Sequence, residues 1–321
     1  MIHIKIRDIA VSQGYYISDH IKNKKIISEK AQGNVVVEEI VDKSEKYSSI
    51  RYNWQNTIML SLDAIQELFF KTDLSGADMD MIVLSSQLPE YVTPATSVKI
   101  HNAIGGKKEC ICYDVNSNGC GMTLAFDQIS KYMSVSSNIK RALLIGCDYI
   151  DMNKNNLGDA ACAVILERTE DECGVYDSLS LVRTEDNDGY HFPYGGFSNL
   201  LMIKEGADFK MSFVGKKAHV MDIAEESIYE ILSRNNLGIN DINMFCFSQN
   251  NREGLDRIRE RLYIDAVNSP YIGDIYGDTG TSSPFIALYE MWENQQIKRG
   301  DYFILCAFGS GTQTITLLCK F

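Results

Sequence analysis

Short apolar runs alternate with stretches of helical period along most of the chain. Ile2 to Val11 alternates apolar and polar residues and predicts a strand. Ile58, Leu62, Ile65 and Phe69 return once per helical turn and predict a helix over Trp54 to Phe70. Met81 to Ser85, Cys110 to Val115, Arg141 to Gly146 and Ala160 to Leu166 are near-continuous apolar runs, the pattern of strands covered on both faces. Pro94 opens a helix that runs to Ala103, and Met122, Ala125, Ile129 and Met133 mark another. Tyr15 to Lys24 reads as a short helix, and Asn34 to Val41 as a further apolar segment.

The pattern then repeats. Leu74 to Ser85 reads against Leu237 to Ser248 without a gap: Leu74 falls on Leu237, Asp78 on Asp241, Met81 on Met244 and Ser85 on Ser248. Each copy follows an amphipathic helix, the second carried by Val220, Ile223, Ser227 and Ile231. Each leads to a strand-like run, a turn of small residues and a helix. In the second copy these are Asp274 to Pro284 and Phe285 to Glu293. Each closes on two strands, in the second copy Tyr302 to Ala307 and Gln313 to Cys319. A duplicated α/β chain of this order predicts two sheets with helices between and outside them.

Composition narrows the partners. The chain has 321 residues, 45% of them apolar and 23% charged, and a net charge of -12. That balance speaks against nucleic acid as a partner, leaving only local basic patches for phosphates near Lys107 and Lys108 or Lys216 and Lys217. No apolar run approaches the roughly 20 residues of a membrane span. The alternating start lacks the apolar core of a signal peptide. The nine cysteines are scattered and odd in number, which fits reduced thiols in the cytoplasm.

The chemistry concentrates in two turns. Asp114 to Thr123 passes from strand to helix through Asn116, Ser117, Asn118, Gly119 and Cys120. A turn of that kind aims backbone N–H groups at one point and sets a side chain at the positive end of a helix. The second turn, Tyr276 to Pro284, has the same small residues. No metal, Walker or dinucleotide motif competes. His191, in an aromatic-rich loop, is the only histidine placed to line a pocket.

These stretches, with Leu157 to Leu166 and the closing run from Ala307 through Gly311 to Phe321, resemble the thiolase-fold condensing enzymes. Among these, they resemble the β-ketoacyl-acyl carrier protein synthase III type. It implies a duplicated α/β fold, a five-layered αβαβα sandwich, with halves at 1–170 and 171–321. It implies acyl-coenzyme A or acyl-carrier-protein thioesters as substrates or ligands, no tightly bound cofactor, and acyl carrier protein as a partner. It also implies pairing of edge strands into a homodimer or a heterodimer with a related synthase.

Family members carry an acyl group on a cysteine in the first turn, while a histidine and an asparagine help to decarboxylate a malonyl thioester. Matching Asp114, Asn116, Gly121 and Met122 to the family pattern puts Gly119 at the cysteine position and Cys120 one place beyond it. Ser248 stands for the histidine and Asp278 for the asparagine. The family's oxyanion-hole N–H groups fall on Gly119 and Ser310. Asn251 and Arg252 lie near the family's cofactor-contacting positions, with Lys154 as a weaker candidate.

Each substitution has two readings. Cys120 is either a shifted nucleophile or a small buried residue, since one step along a helix turns a side chain by about 100°. Ser248 either donates a hydrogen bond to a thioester or ends a strand as Ser85 does. Asp278 either acts as a base or fixes a turn beside Gly277 and Gly280; ionised, it would repel an enolate. Two functions follow. The chain is a degenerate homologue that binds acyl thioesters or carrier protein, or pairs with an active synthase; or it is an active acyltransferase or condensing enzyme using Cys120. Tyr176 to Met211 reads as an insertion covering the site.

Overall fold

The computed structural model describes residues 2–13, 15–18, 47–50, 56–148, 159–183, 189–193, 196–198, 212–214, 220–249 and 251–321. The first half runs β1 (His3–Gln13), α1 (Thr57–Thr72), β2 (Met81–Ser85), α2 (Thr96–Ala103), β3 (Ile111–Val115), α3 (Gly121–Val135), β4 (Arg141–Cys147) and β5 (Ala160–Thr169). The second runs β6 (Gly174–Val182), α4 (Val220–Arg234), β7 (Met244–Phe247), α5 (Arg252–Leu262), α6 (Ser283–Glu293), β8 (Tyr302–Gly309) and β9 (Gln313–Lys320).

The first sheet has the order β1-β5-β4-β2-β3, and the second β7-β8-β9-β6. In both, the strand after the repeated turn pairs parallel with its neighbour, and the closing strands pair antiparallel. A central core joins the two sheets through α3 and α6, where Phe126 and Phe285 meet edge to face at 5.7 Å. Outside the first sheet, α1 and α2 bury Leu60, Ile65, Leu68 and Ile100 against it. Outside the second, α4 and α5 bury Ile228, Ile231, Leu255 and Ile258. The layers are therefore helix, sheet, helix, sheet, helix, as expected.

The repeat extends to single hydrogen bonds. Asp78 accepts the Ser75 N–H at 2.9 Å, and Asp241 accepts the Gly238 N–H at 2.7 Å. Asp80 takes the Arg141 N–H at 2.9 Å, and its repeat mate Asn243 takes the Tyr302 N–H at 3.2 Å. Both pairs fix the start of the central strands.

Three expectations change. Tyr15–Ser18 is a strand paired with Tyr47–Ile50 and not the start of a helix; Tyr-Tyr-Ile is a strong strand-forming run. Asn34 to Val41 lies outside the described residues. Tyr176 does not begin an insertion: Gly174–Val182 is the second sheet's outer strand, the counterpart of β1, with Val175 against the central core and Leu179 against the outer one. Among the described residues, the second copy also has no strand matching β3. Pro270 lacks an N–H for a ladder, and Gln249 supplies the bonds instead, donating to Pro270 O at 3.1 Å and accepting from Ile272 N–H at 3.1 Å. The run before the second turn is a one-turn helix, Gly273–Tyr276. The polar helix α5 went unread because so many charges hide its apolar stripe of Leu255, Ile258 and Leu262.

Candidate active site

The turn between β3 and α3 is fixed from both sides. Asp114 receives the N–H groups of Thr96 (2.6 Å) and Ser97 (2.9 Å), and so caps α2 from across the sheet where the flanking Ala95 cannot. Asn116 donates to Gln87 O at 3.0 Å and accepts from Asn118 N–H at 3.2 Å. Asn118 is thereby held left-handed, with φ 50°, a conformation asparagine tolerates better than most residues.

Asn118 then closes the turn with its side chain. Its Oδ1 accepts the N–H of Gly119 at 2.8 Å and the N–H of Ser310 at 2.9 Å. Two backbone donors from opposite halves converge on one oxygen, at the distances an oxyanion hole requires. The oxygen they hold is the chain's own.

Gly119 has no room for a side chain. A Cβ there would lie 2.3 Å from Phe308 O and 3.8 Å from Gly309 Cα. Ser248 helps to hold that carbonyl in place, because its Oγ accepts the Phe308 N–H at 3.0 Å. Ser248 thus anchors the strand end whose carbonyl fills the space beside Gly119.

Cys120 points away from the turn. It is fully buried, with Sγ 3.4 Å from Ala307 O and 3.5 Å from Gln313 O. Burial pushes its thiol well above the usual cysteine range, with the neighbouring Cys306 adding to the effect. Desolvation outweighs any pull from the N-terminus of α3.

The second turn meets the first sheet in a related way. Asp148, at the end of β4, accepts from Gln87 N–H (2.6 Å), Gln87 Nε2 (2.8 Å) and Thr281 N–H (2.7 Å). Its burial pushes the carboxyl up to about 6, against the lowering effect of these donors and with the charge of Asp278 adding to the rise. Gly280 sits beside it with φ 60°, and a Cβ there would lie 2.1 Å from Asp148 Oδ2. Asp278 Oδ1 accepts the Gly280 N–H at 3.0 Å, which fixes the turn. Thr281 Oγ1 accepts the Met122 N–H at 2.7 Å and pairs with Ser85 Oγ at 2.9 Å, so the second half caps α3 of the first.

Comparison with known proteins agrees with this architecture. Residues 232–321 match the family model for the C-terminal part of 3-oxoacyl-[acyl-carrier-protein] synthase III. The β-ketoacyl-[acyl-carrier-protein] synthase III of Lactobacillus helveticus is 28% identical over 282 residues, covering 83% of this chain and 85% of that one. Its namesake in Clostridium novyi is 26% identical over 342 residues, covering 97% of each. The chain is similar to the synthase III type over most of its length, and its residues 232–321 carry that type's C-terminal pattern. Among solved structures, the synthase III of Aquifex aeolicus superimposes with a TM-score of 0.79 at 19% identity, over 99% of this chain and all of that one. An OleA variant from Xanthomonas campestris, solved with lauric acid and lauroyl-CoA, gives 0.76 at 15% identity, over 99% of each chain. Both show the thiolase fold.

The structure brings Gly119, Ser248 and Ser310 together around Phe308 and Asn118. It buries Cys120 in the core beneath them. Asp278 lies on the other turn, next to Asp148. Asn251 and Arg252 are both engaged: Asn251 caps α5 by accepting the Gly254 N–H at 2.7 Å, and Arg252 pairs with Asp274 and stacks over the Tyr271 ring at 4.4 Å. His191 is exposed on a strand paired with Ser212–Val214, and Lys154 lies outside the described residues.

The sequence reading missed Asn118, Asp148 and Gln87. Asn118 occupies a variable place in the motif and carries no signal of its own. Asp148 had one: a carboxylate directly after the apolar run that ends at Cys147.

Proposed function

We propose that this synthase III-type chain does not form an acyl-enzyme, and serves as a non-condensing homologue that binds acyl thioesters or acyl carrier protein beside an intact synthase. The observation that carries this reading is Asn118 Oδ1 between the N–H groups of Gly119 and Ser310. The site that would stabilise a thioester oxyanion holds an internal amide oxygen instead. Gly119 supplies no sulfur, and Phe308 O takes the space that a side chain there would need.

The buried, proton-holding Cys120 is a poor substitute, because the thiolate is the nucleophile. Ser248 cannot take a proton at neutral pH and is committed to Phe308. A thioester carbonyl would have to displace the Asn118 side chain, which sits on a partly exposed turn. Pairing with a second chain has a ready surface: β3 is the outer strand of the first sheet, with a free edge among the described residues.

Binding and turnover together test the reading. Acyl-coenzyme A should bind weakly to the natural chain and more tightly to Asn118→Gly, which frees the two N–H groups and keeps the left-handed backbone. Neither protein should transfer the acyl group or decarboxylate a malonyl thioester. Turnover that disappears in Cys120→Ala would overturn the proposal and restore the active-acyltransferase reading.

A further inference from the structure

On the outer face of the first sheet, away from the turns, three metal-binding side chains meet. The ligand atoms of His101, Cys110 and Cys112 all lie within 4.8 Å of one another, and all three residues are half-buried. Cys110 and Cys112 sit two apart at the start of β3, so both point to the α2 side of the sheet. His101 lies in the last turn of α2, which packs on that face.

We propose that His101, Cys110 and Cys112 form a zinc site with three protein ligands and a fourth position open to water or an external thiol.

The distances suit the ion. The two Sγ atoms are 3.9 Å apart. Two thiolates on a tetrahedral zinc, each about 2.3 Å from the metal, stand roughly 3.8 Å apart. The imidazole is already set for the task. Its Nε2 is 2.8 Å from Lys107 O, a contact that requires Nε2 to carry the proton. Nδ1 is then left as the lone-pair nitrogen, the arrangement in which an outer carbonyl orients a histidine ligand. Gly106 packs directly against the ring, since a Cβ there would lie 2.3 Å from His101 Cδ2. The ring therefore cannot swing freely away from the thiols.

Zinc binding would release two thiol protons to solvent. Two thiolates and a neutral imidazole leave the bound group without net charge, which suits a half-buried position. Lys107, the nearest cation, is drawn off by its ion pair with Asp80.

The site would complete a clasp. Asp114 already ties the first turn of α2 to β3 through Thr96 and Ser97. The metal would tie the last turn of α2 to the same strand, which leads directly into Asn116 and Asn118. His101 and the Cys110-x-Cys112 pair match no familiar spacing and meet only when α2 lies beside β3.

Cobalt is the direct probe. The full chain, kept reduced with a phosphine and freed of metal, should bind one equivalent of Co2+ per chain. It should show an intense thiolate-to-cobalt absorption that Zn2+ abolishes by displacement. Cys110→Ser and Cys112→Ser should each lose most of that absorption. His101→Gln should weaken binding about tenfold or more while leaving the circular dichroism unchanged. If either cysteine variant fails to fold, His101→Gln and zinc competition against a chromophoric chelator decide the matter. No thiolate-to-cobalt band in the natural chain, or a band indifferent to Cys110→Ser, Cys112→Ser and His101→Gln, would overturn the proposal.

Discussion

At the end of β4, Asp148 draws the N–H groups of Thr281 and Gln87 onto a buried carboxylate. At the end of β8, Ser310 and Gly119 direct their N–H groups onto the amide oxygen of Asn118. In both places one half's strand end is fastened to the other half's central turn by an oxygen that takes backbone donors. The chemistry differs. Asp148 is sealed, 1% exposed, and its charge is opposed by its surroundings. Asn118 is neutral, partly exposed and held left-handed on a short turn. The first fastening belongs to the scaffold. The second lies at the turn where the two halves meet, and its neutral oxygen is the more easily displaced.

The two fastenings should break differently. Gly280→Ala adds a Cβ 2.1 Å from Asp148 Oδ2 at a backbone of φ 60°. It should cost about 4 kcal/mol in urea unfolding, from the strained backbone and the overpacking together. Gly119→Ala meets only the Phe308 carbonyl, without a left-handed penalty, and should cost about 2 to 3 kcal/mol. Equal costs would mean that the end of β8 yields less than this comparison requires.

Proton linkage separates the two next. Burial raises the folded Asp148 carboxyl from the ordinary 3.8 to about 6. Between those values the folded chain binds more protons than the unfolded one, so stability falls as pH rises through that window. The loss attributable to Asp148 is about 3 kcal/mol at most, at roughly 1.4 kcal/mol per pH unit. In Asp148→Asn that slope should vanish, whatever the substitution costs at every pH. An unchanged slope in guanidinium unfolding from pH 4 to pH 6.5 would show that the carboxylate is better satisfied than its burial suggests.

Asn118→Gly should change ligand binding more than folding. Losing two hydrogen bonds to a partly exposed oxygen should cost about 1 kcal/mol of stability. Acyl-coenzyme A affinity should rise about tenfold, or about 1.4 kcal/mol. Unchanged affinity in a calorimetric titration would separate Asn118 from the ligand site. The smallest effect belongs to Arg252→Ala. The lost pair with Asp274 and the stacking on Tyr271 are solvent-exposed, and should be worth within about 1 kcal/mol, shrinking in salt.

The sheets were legible because strands buried on both faces write themselves as unbroken apolar runs, and because Leu74 to Ser85 recurs as Leu237 to Ser248. The outer strand β6 was not, because its Asp177, Ser178 and Ser180 break the apolar pattern along a partly exposed edge. Position matching singles out Gly119 and Ser310, whose N–H groups both point at Asn118 Oδ1. It could not show that Asn118 fills the space between them, because that depends on how closely β8 approaches a turn remote in sequence. Cys120 was a fair candidate by composition and spacing. The direction of its side chain, toward Ala307 O and Gln313 O, is a property of packing and not of spacing.

The central claim is that this chain keeps the synthase III scaffold without an acylatable residue in its first turn. Intact-mass spectrometry after incubation with acyl-coenzyme A and acyl-carrier-protein thioesters tests it most directly, with Cys120→Ala alongside. The account predicts an unchanged mass for both proteins. An acyl adduct on the natural chain that is absent from Cys120→Ala would contradict it.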